Sequence, residues 1–137
     1  EITWFNKLIC ENGVRGVVCV LGFVPDAQLQ ALIKGAEFLI FPSLFEGFGM
    51  PILEAMTLGC PVISSNAGSL PEVGGDAAVY FDPRSEDNFI ALLDGILKQK
   101  GLDRNCMIQK GFVNCQRFSW QKTCDETVAV YNELTGQ

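Results

Sequence analysis

The sequence predicts an α/β domain in which a buried parallel sheet is covered by helices on both faces. Short runs rich in Val, Ile and Phe alternate with amphipathic segments, which is the pattern of strands connected by helices. Each apolar run is followed by a turn signal, and several amphipathic segments have recognisable helix ends. The 137 residues, 48% of them hydrophobic, match the length of one domain and can supply a single core.

Four apolar runs are predicted to be the strands of this sheet. They are nearly continuous in hydrophobic residues, as expected of parallel strands buried on both faces. The predicted strands are residues 17–21, 38–41, 62–64 and 77–81.

The helices are predicted from their ends. Asp26 can cap the first of them. Pro51 suits the first position of the next, because proline lacks an amide that this position cannot use, and Gly59 can close that helix. After residue 82 the chain is predicted to be mostly helical. One helix begins at Ser85 and ends near residues 98–101, another spans residues 104–117, and Ser119 caps the last.

Composition argues against several classes of function. The formal net charge is −6 and only ten Lys and Arg residues are scattered along the chain, whereas binding to a phosphate backbone needs clustered cations. No apolar run approaches the roughly 20 residues that span a bilayer, and the start lacks the pattern of a signal peptide. The sequence therefore predicts a cytoplasmic protein that has no membrane span and binds no nucleic acid.

Six cysteines could indicate disulfides or a metal site, but their spacing supports neither. There is no Cys-x-x-Cys pair and no histidine in the chain. We expect free, buried or inert thiols, with Cys19 and Cys60 packing as small hydrophobes. A zinc or redox role is the alternative.

The candidate site follows the second predicted strand. Glu46 lies in a glycine-bearing loop, and Glu54 is predicted to lie in the first turn of the next helix. A helix N-terminus attracts phosphate through its unpaired amides and partial positive charge, and Gly47 and Gly49 let a ligand approach the backbone. A sugar linked to a diphosphate would use all of these features. The ordinary alternative for either glutamate is a solvated charge or an electrostatic partner of the helix N-terminus.

Six short strings occur in order between residues 21 and 82. They are Leu-Gly-Phe-Val from residue 21, Phe-Pro-Ser-Leu-Phe-Glu-Gly-Phe-Gly-Met-Pro from 41, Leu-Glu-Ala-Met from 53, Gly-Cys-Pro-Val-Ile from 59, Ser-Leu-Pro-Glu-Val from 69 and Gly-Asp-Ala-Ala from 75. This ordered set resembles the donor-binding half of the retaining glycosyltransferases of family 4, also called glycosyl transferases group 1. The two glutamates alone would be a weak signal, so the ordered set carries the resemblance.

The resemblance implies the fold and its place in a larger protein. It implies a Rossmann-like three-layer α/β/α domain, the C-terminal half of a two-domain GT-B enzyme, followed by C-terminal helices. Residues 1–137 would then form the nucleotide-sugar (donor) binding domain. We expect this piece to lack the first strand and helix of that domain, with the family's phosphate-binding Arg and Lys, and also the whole N-terminal acceptor domain. The isolated piece is expected to be inactive.

The resemblance also assigns roles to residues. Glu54 would accept hydrogen bonds from the two ribose hydroxyls, which suits the two oxygens of a carboxylate. Glu46 would act as the catalytic residue by addressing the transferred sugar near its reacting carbon. The backbone of Gly47, Phe48, Gly49 and Met50 would bind sugar or diphosphate oxygens. Further candidates for the donor loop, at the carboxyl ends of the strands, are Pro42, Ser43 and Ser65.

The implied reaction is transfer of a sugar from a nucleotide-diphosphate sugar with retention of configuration. No cofactor and no metal is expected, and the chain has no Asp-x-Asp pair for a metal-bound diphosphate. The acceptor would be a carbohydrate or glycolipid bound by the N-terminal domain, in polysaccharide or glycolipid synthesis. The full-length protein could associate peripherally with the inner face of a membrane.

Three alternatives remain open at this point. The chain could be a nucleotide-sugar-binding module without catalysis, or a nucleotide-sugar epimerase of the same architecture. It could also be a flavodoxin-like or receiver domain, although residues 17–24 lack the phosphate-binding or acidic cluster expected after the first strand of such domains.

Overall fold

A parallel three-stranded sheet lies at the centre of the computed structural model, which describes residues 2–99 and 103–136. Its strands are β1 (Leu39–Phe41), β2 (Val62–Ser65) and β3 (Ala78–Phe81), arranged in the order β1-β2-β3. Leu39 lies beside Val62, and Val62 lies beside Ala78. These three strands and their parallel direction confirm the sequence prediction, with bounds that differ by one residue at an end.

The strand predicted at residues 17–21 is wrong. This segment forms no ladder with any strand in the described part of the chain. Val17 and Leu21 are 83% and 55% exposed. A run of β-branched residues favours an extended backbone, but a strand is stable only where a neighbouring strand pairs with it.

Seven α-helices occur in the described residues, and three of their ends bear on the predictions. Asp26 is the first residue of its helix, after an N-cap at Pro25, so the prediction that Asp26 is the cap is wrong. Ser85 and Ser119 do cap, since they accept hydrogen bonds from the amides of Asn88 (3.2 Å) and Lys122 (3.1 Å). The helices are α1 (Ile2–Glu11), α2 (Asp26–Gly35), α3 (Met50–Thr57), α4 (Leu70–Gly74), α5 (Glu86–Gln99), α6 (Arg104–Cys115) and α7 (Trp120–Thr135).

Other helix bounds differ modestly from the predictions. Gly59, with φ +73°, follows the end of α3 as predicted, and its amide donates to the carbonyl of Met56. α6 ends at Cys115, two residues before the predicted end at Arg117. Residues 100 and 101, at the predicted end of α5, lie outside the described residues.

Helices cover the sheet on both faces, which gives the predicted three layers. On one face α3 supplies most of the core, and its buried residues pack with Val62 and with α4. α6 lies against α3 at Gly111, where an added Cβ would lie 3.2 Å from Cγ of Met56. The opposite face carries Phe81, whose ring lies 4.6 Å from that of Phe89 in α5. The predicted complete burial of the sheet fails in β1, where Ile40 is 41% exposed.

The cysteines divide into two groups. All six are free: Cys60 is buried, Cys115 is half-buried, and the others are exposed. The expectation that Cys19 packs as a buried hydrophobe is therefore wrong, because its segment is not a paired strand. Burial raises the pKa of the Cys60 and Cys115 thiols.

Alkylation is expected to separate these two groups. In the folded protein at pH 8, iodoacetamide should modify Cys10, Cys19, Cys106 and Cys124 rapidly. Cys60 and Cys115 should react slowly, because the thiolate is the nucleophile and burial suppresses both access and ionisation. Peptide mass spectrometry over a time course measures each rate, and protein unfolded in urea is the control in which all six should react. Equal rates for Cys60 and Cys106 in the folded protein would contradict the structure.

Candidate functional site

The β1–α3 loop (residues 42–49) leaves the carboxyl end of β1 and leads into the start of α3. Gly49 is the N-cap of α3, and its φ of +112° is unfavourable for other residues. α3 begins at Met50, so Pro51 is its second residue rather than its first. The amide that proline lacks would still have no partner within the helix at this position.

Within the described part of the chain, the backbone amides from Ser43 to Met50 have no protein partner. The last four of these, the amides of Gly47 to Met50, lead into α3. Pro51 has no amide hydrogen, and the next amide, that of Ile52, donates to the carbonyl of Gly49 at 3.0 Å. The start of α3 therefore presents a short row of hydrogen-bond donors together with the positive end of the helix dipole.

Glu46 is half-buried, and two serines hold its loop. The hydroxyl of Ser43 donates to Oε1 of Glu46 at 2.9 Å. The hydroxyl of Ser65, buried at the end of β2, donates to the carbonyl of Ser43. The structure thus brings Ser43 and Ser65, both predicted from the sequence, together with Glu46 at the carboxyl edge of the sheet.

Glu54 is an exposed residue of α3. It is the fifth residue of that helix, so its predicted place in the first turn is wrong, because α3 starts at Met50. Its neighbours Leu53 and Ala55 are buried in the core, which leaves the Glu54 carboxylate on the open side. The helix dipole acts mainly within the first turn, so this charge is not explained as a partner of the N-terminus.

The remaining predicted residues lie along the same surface. Pro42 is exposed at the start of the loop, and Gly47 is exposed near its middle. Phe48 and Met50 are each 42% exposed, and Gly49 between them is buried. The predicted residues therefore form one continuous segment at the start of α3, with Ser65 beneath it.

Two contacts with this loop were not predicted. The hydroxyl of Ser69 lies 3.0 Å from the carbonyl oxygen of Glu46 and 2.8 Å from that of Phe48. The ring of Phe48 meets the edge of Phe118, with centroids 5.7 Å apart. Ser69 belongs to one of the sequence strings, but nothing in the local sequence indicates the partner of either residue.

The α/β layers place the β1–α3 loop at the carboxyl edge of a parallel sheet, which is where domains of this class bind ligands. The chain belongs to the family of glycosyl transferases group 1, whose sequence model matches residues 3–112. The expectation of a glycosyl transferases group 1 domain is therefore confirmed.

A curated relative and two solved structures illustrate the similarity. The chain is 39% identical over 127 residues to O-antigen chain mannosyltransferase B of Escherichia coli, covering 92% of this chain and 33% of that protein. Sucrose-phosphate synthase from Thermosynechococcus elongatus superposes with a TM-score of 0.81 and 23% identity, covering 96% of this chain and 34% of that one. Anabaena HepE, solved in complex with UDP and glucose, superposes with a TM-score of 0.79 and 21% identity. The match covers 94% of this chain and 36% of that one.

These comparisons show the fold and the extent of the match. The structural superpositions confirm the Rossmann-like α/β layers of a GT-B domain. The chain spans about a third of the length of the mannosyltransferase. Among the described residues, no helix is both long and apolar enough to cross a bilayer.

Proposed function

We propose that the β1–α3 loop and the start of α3 form the donor site of a retaining glycosyltransferase that takes a nucleoside-diphosphate sugar. The observation that carries the proposal is that the amides leading into α3, those of Gly47 to Met50 among them, have no protein partner in the described part of the chain, with Glu46 before them and Glu54 after them in the sequence. Amides suit anionic phosphate oxygens, and carboxylates suit sugar hydroxyls.

Each group has a role in this proposal. Glu54, exposed on α3, accepts hydrogen bonds from the two ribose hydroxyls of the nucleotide. Glu46, held by Ser43, faces the transferred sugar near its reacting carbon. The amides of Gly47 to Met50 bind diphosphate or sugar oxygens. Anabaena HepE, of similar fold, was crystallised with UDP and glucose, which supports a ligand of this class.

The chemistry follows from where charge develops. As the bond between the sugar and the diphosphate breaks, negative charge grows on the leaving group and positive charge on the sugar. The amides at the start of α3 stabilise the first, and the Glu46 carboxylate stabilises the second. In this scheme the amides and the carboxylates act without a metal ion or a cofactor.

The activity is a property of the full-length protein. The proposed acceptor is a carbohydrate or glycolipid. The similarity to an O-antigen mannosyltransferase supports a role in polysaccharide or glycolipid assembly. We place the protein in the cytoplasm, in peripheral contact with the inner face of the membrane.

Calorimetric titration of the full-length protein tests the donor site. The ligands are UDP, GDP and ADP, each with and without its sugar, and the variant is Glu54→Gln. We expect one base to bind best. The variant should lower the affinity for both the nucleoside diphosphate and its sugar conjugate by roughly 10- to 100-fold, since a hydrogen bond to a charged group is worth about 1.5–3 kcal/mol.

Glu86→Gln is the matched control, because Glu86 is also exposed and lies in the first turn of α5. Its affinities should equal those of the wild type. Wild-type protein that binds no nucleotide, or a Glu54→Gln variant that binds as tightly as wild type, would refute the donor site.

A further inference from the structure

We propose that Ser69 is a positioning residue, which aims the Gly47 and Gly49 amides of the β1–α3 loop toward the donor. The inference rests on the proposed function, because it specifies how that site is held in shape.

Ser69 has the position of a helix cap but does not cap. It is the N-cap residue of α4, where a serine hydroxyl usually accepts an amide of the first turn, yet its side chain makes no such bond. Its hydroxyl instead reaches the carbonyl oxygens of Glu46 and Phe48, at 3.0 and 2.8 Å. A hydroxyl has one proton, so these two carbonyls share it.

The two carbonyls that Ser69 holds fix the direction of the two amides that follow them. In a trans peptide the C=O and the next N–H point in opposite directions, and the described residues contain no cis peptide. With the Glu46 carbonyl directed to Ser69, the Gly47 amide points away from Ser69. The same relation between Phe48 and Gly49 turns the Gly49 amide away as well.

Ser69 restrains the loop at a glycine. Gly47 has no side chain whose packing could fix its backbone, and an added Cβ there would meet no atom within 4 Å. If the Glu46–Gly47 peptide turned over, a carbonyl oxygen would replace an amide on the donor side and repel an anionic ligand. Ser69 selects the orientation that presents the amide.

Binding of three ligands to the full-length protein tests the inference. They are the nucleoside monophosphate, nucleoside diphosphate and nucleotide sugar of the base that the wild type prefers. Ser69→Ala should leave the affinity for the monophosphate unchanged, lower the affinity for the diphosphate several-fold and lower that for the nucleotide sugar about ten-fold. The reason is that the loop contacts only the distal parts of the donor. General damage to the structure would weaken all three ligands alike.

Two further substitutions at Ser69 keep the test decisive. Ser69→Thr retains the hydroxyl and should bind all three ligands within about two-fold of wild type. Ser69→Cys keeps the size but offers only a weak donor, and should give the same graded loss as Ser69→Ala. It replaces Ser69→Ala if that variant fails to fold. Ser85→Ala, at a serine that does cap its helix, should leave all three affinities unchanged.

The outcomes separate this inference from the donor site itself. Equal weakening of the three ligands, no weakening, or a Ser69→Thr variant as impaired as Ser69→Ala would overturn the role of Ser69. If Glu54→Gln still weakens binding in the same series, the donor site stands. Failure of the wild type to bind any of the three ligands would refute both.

Discussion

Glu46→Gln is expected to reduce glycosyl transfer by at least about 100-fold without unfolding the protein, similar to the loss when one electrostatic group of an active site is removed. Glutamine has nearly the same shape, and its amide oxygen can still accept the hydrogen bond of Ser43. The substitution removes the negative charge that would face the developing positive charge on the sugar. The loss should therefore fall mainly on kcat rather than on KM.

The measurement is nucleoside-diphosphate release by the full-length enzyme in the presence of acceptor glycan, at saturating nucleotide sugar. Glu133→Gln supplies the same chemical change at an exposed position of α7 and should keep wild-type activity. Activity of Glu46→Gln within a few-fold of wild type, with a normal melting temperature, would show that Glu46 does not act on the transferred sugar.

Gly49→Ala is expected to lower the free energy of unfolding by about 2–5 kcal/mol, from backbone strain and overpacking together. The φ of Gly49 is +112°, which is unfavourable for an L-residue. The new Cβ would lie 2.6 Å from Cδ2 of Leu70, and Leu70 is fully buried and has little room to move. Because a domain of this size is stable by only about 5–15 kcal/mol, this loss is large.

Gly47→Ala is the natural comparison, since it lies in the same loop without a positive φ and with no atom within 4 Å of an added Cβ. Its free energy of unfolding, measured in urea, should stay within about 0.5 kcal/mol of wild type, as for other exposed surface changes. If the two alanine variants unfold at the same urea concentration, the packing of Gly49 against Leu70 is not as described.

Local sequence predicted the elements whose cause is local. The strands β1 to β3 follow from short apolar runs, and the caps at Ser85 and Ser119 follow from residue type and the acidic or amphipathic turn behind them. The segment at residues 17–21 has the same composition, yet it forms no strand. It forms no strand because no neighbouring strand in the described part of the chain pairs with it, and the composition of a segment does not predict its pairing partner.

The candidate site also contains residues that the sequence predicts and residues that it does not. Glu46 and Glu54 could be found because they belong to an ordered string of motifs, and the start of α3 was recognisable from Pro51. Ser69 could not be assigned, since a serine in a turn is expected for many reasons and its partners lie in another loop. Glu54 lies one residue further along the helix than Pro51 predicts, because the helix begins at Met50.

The contact between Phe48 and Phe118 affects the order in which parts of the protein can fold during synthesis. Phe118 lies in the turn between α6 and α7, near the C-terminal end of this chain. During synthesis the ribosome therefore releases the β1–α3 loop well before the residue against which its aromatic side chain rests. The same delay applies to α4, whose Val73 carbonyl accepts a hydrogen bond from Asn114 of α6. A nascent chain can form the sheet early, but its β1–α3 loop becomes fully packed only once α6 and Phe118 have emerged.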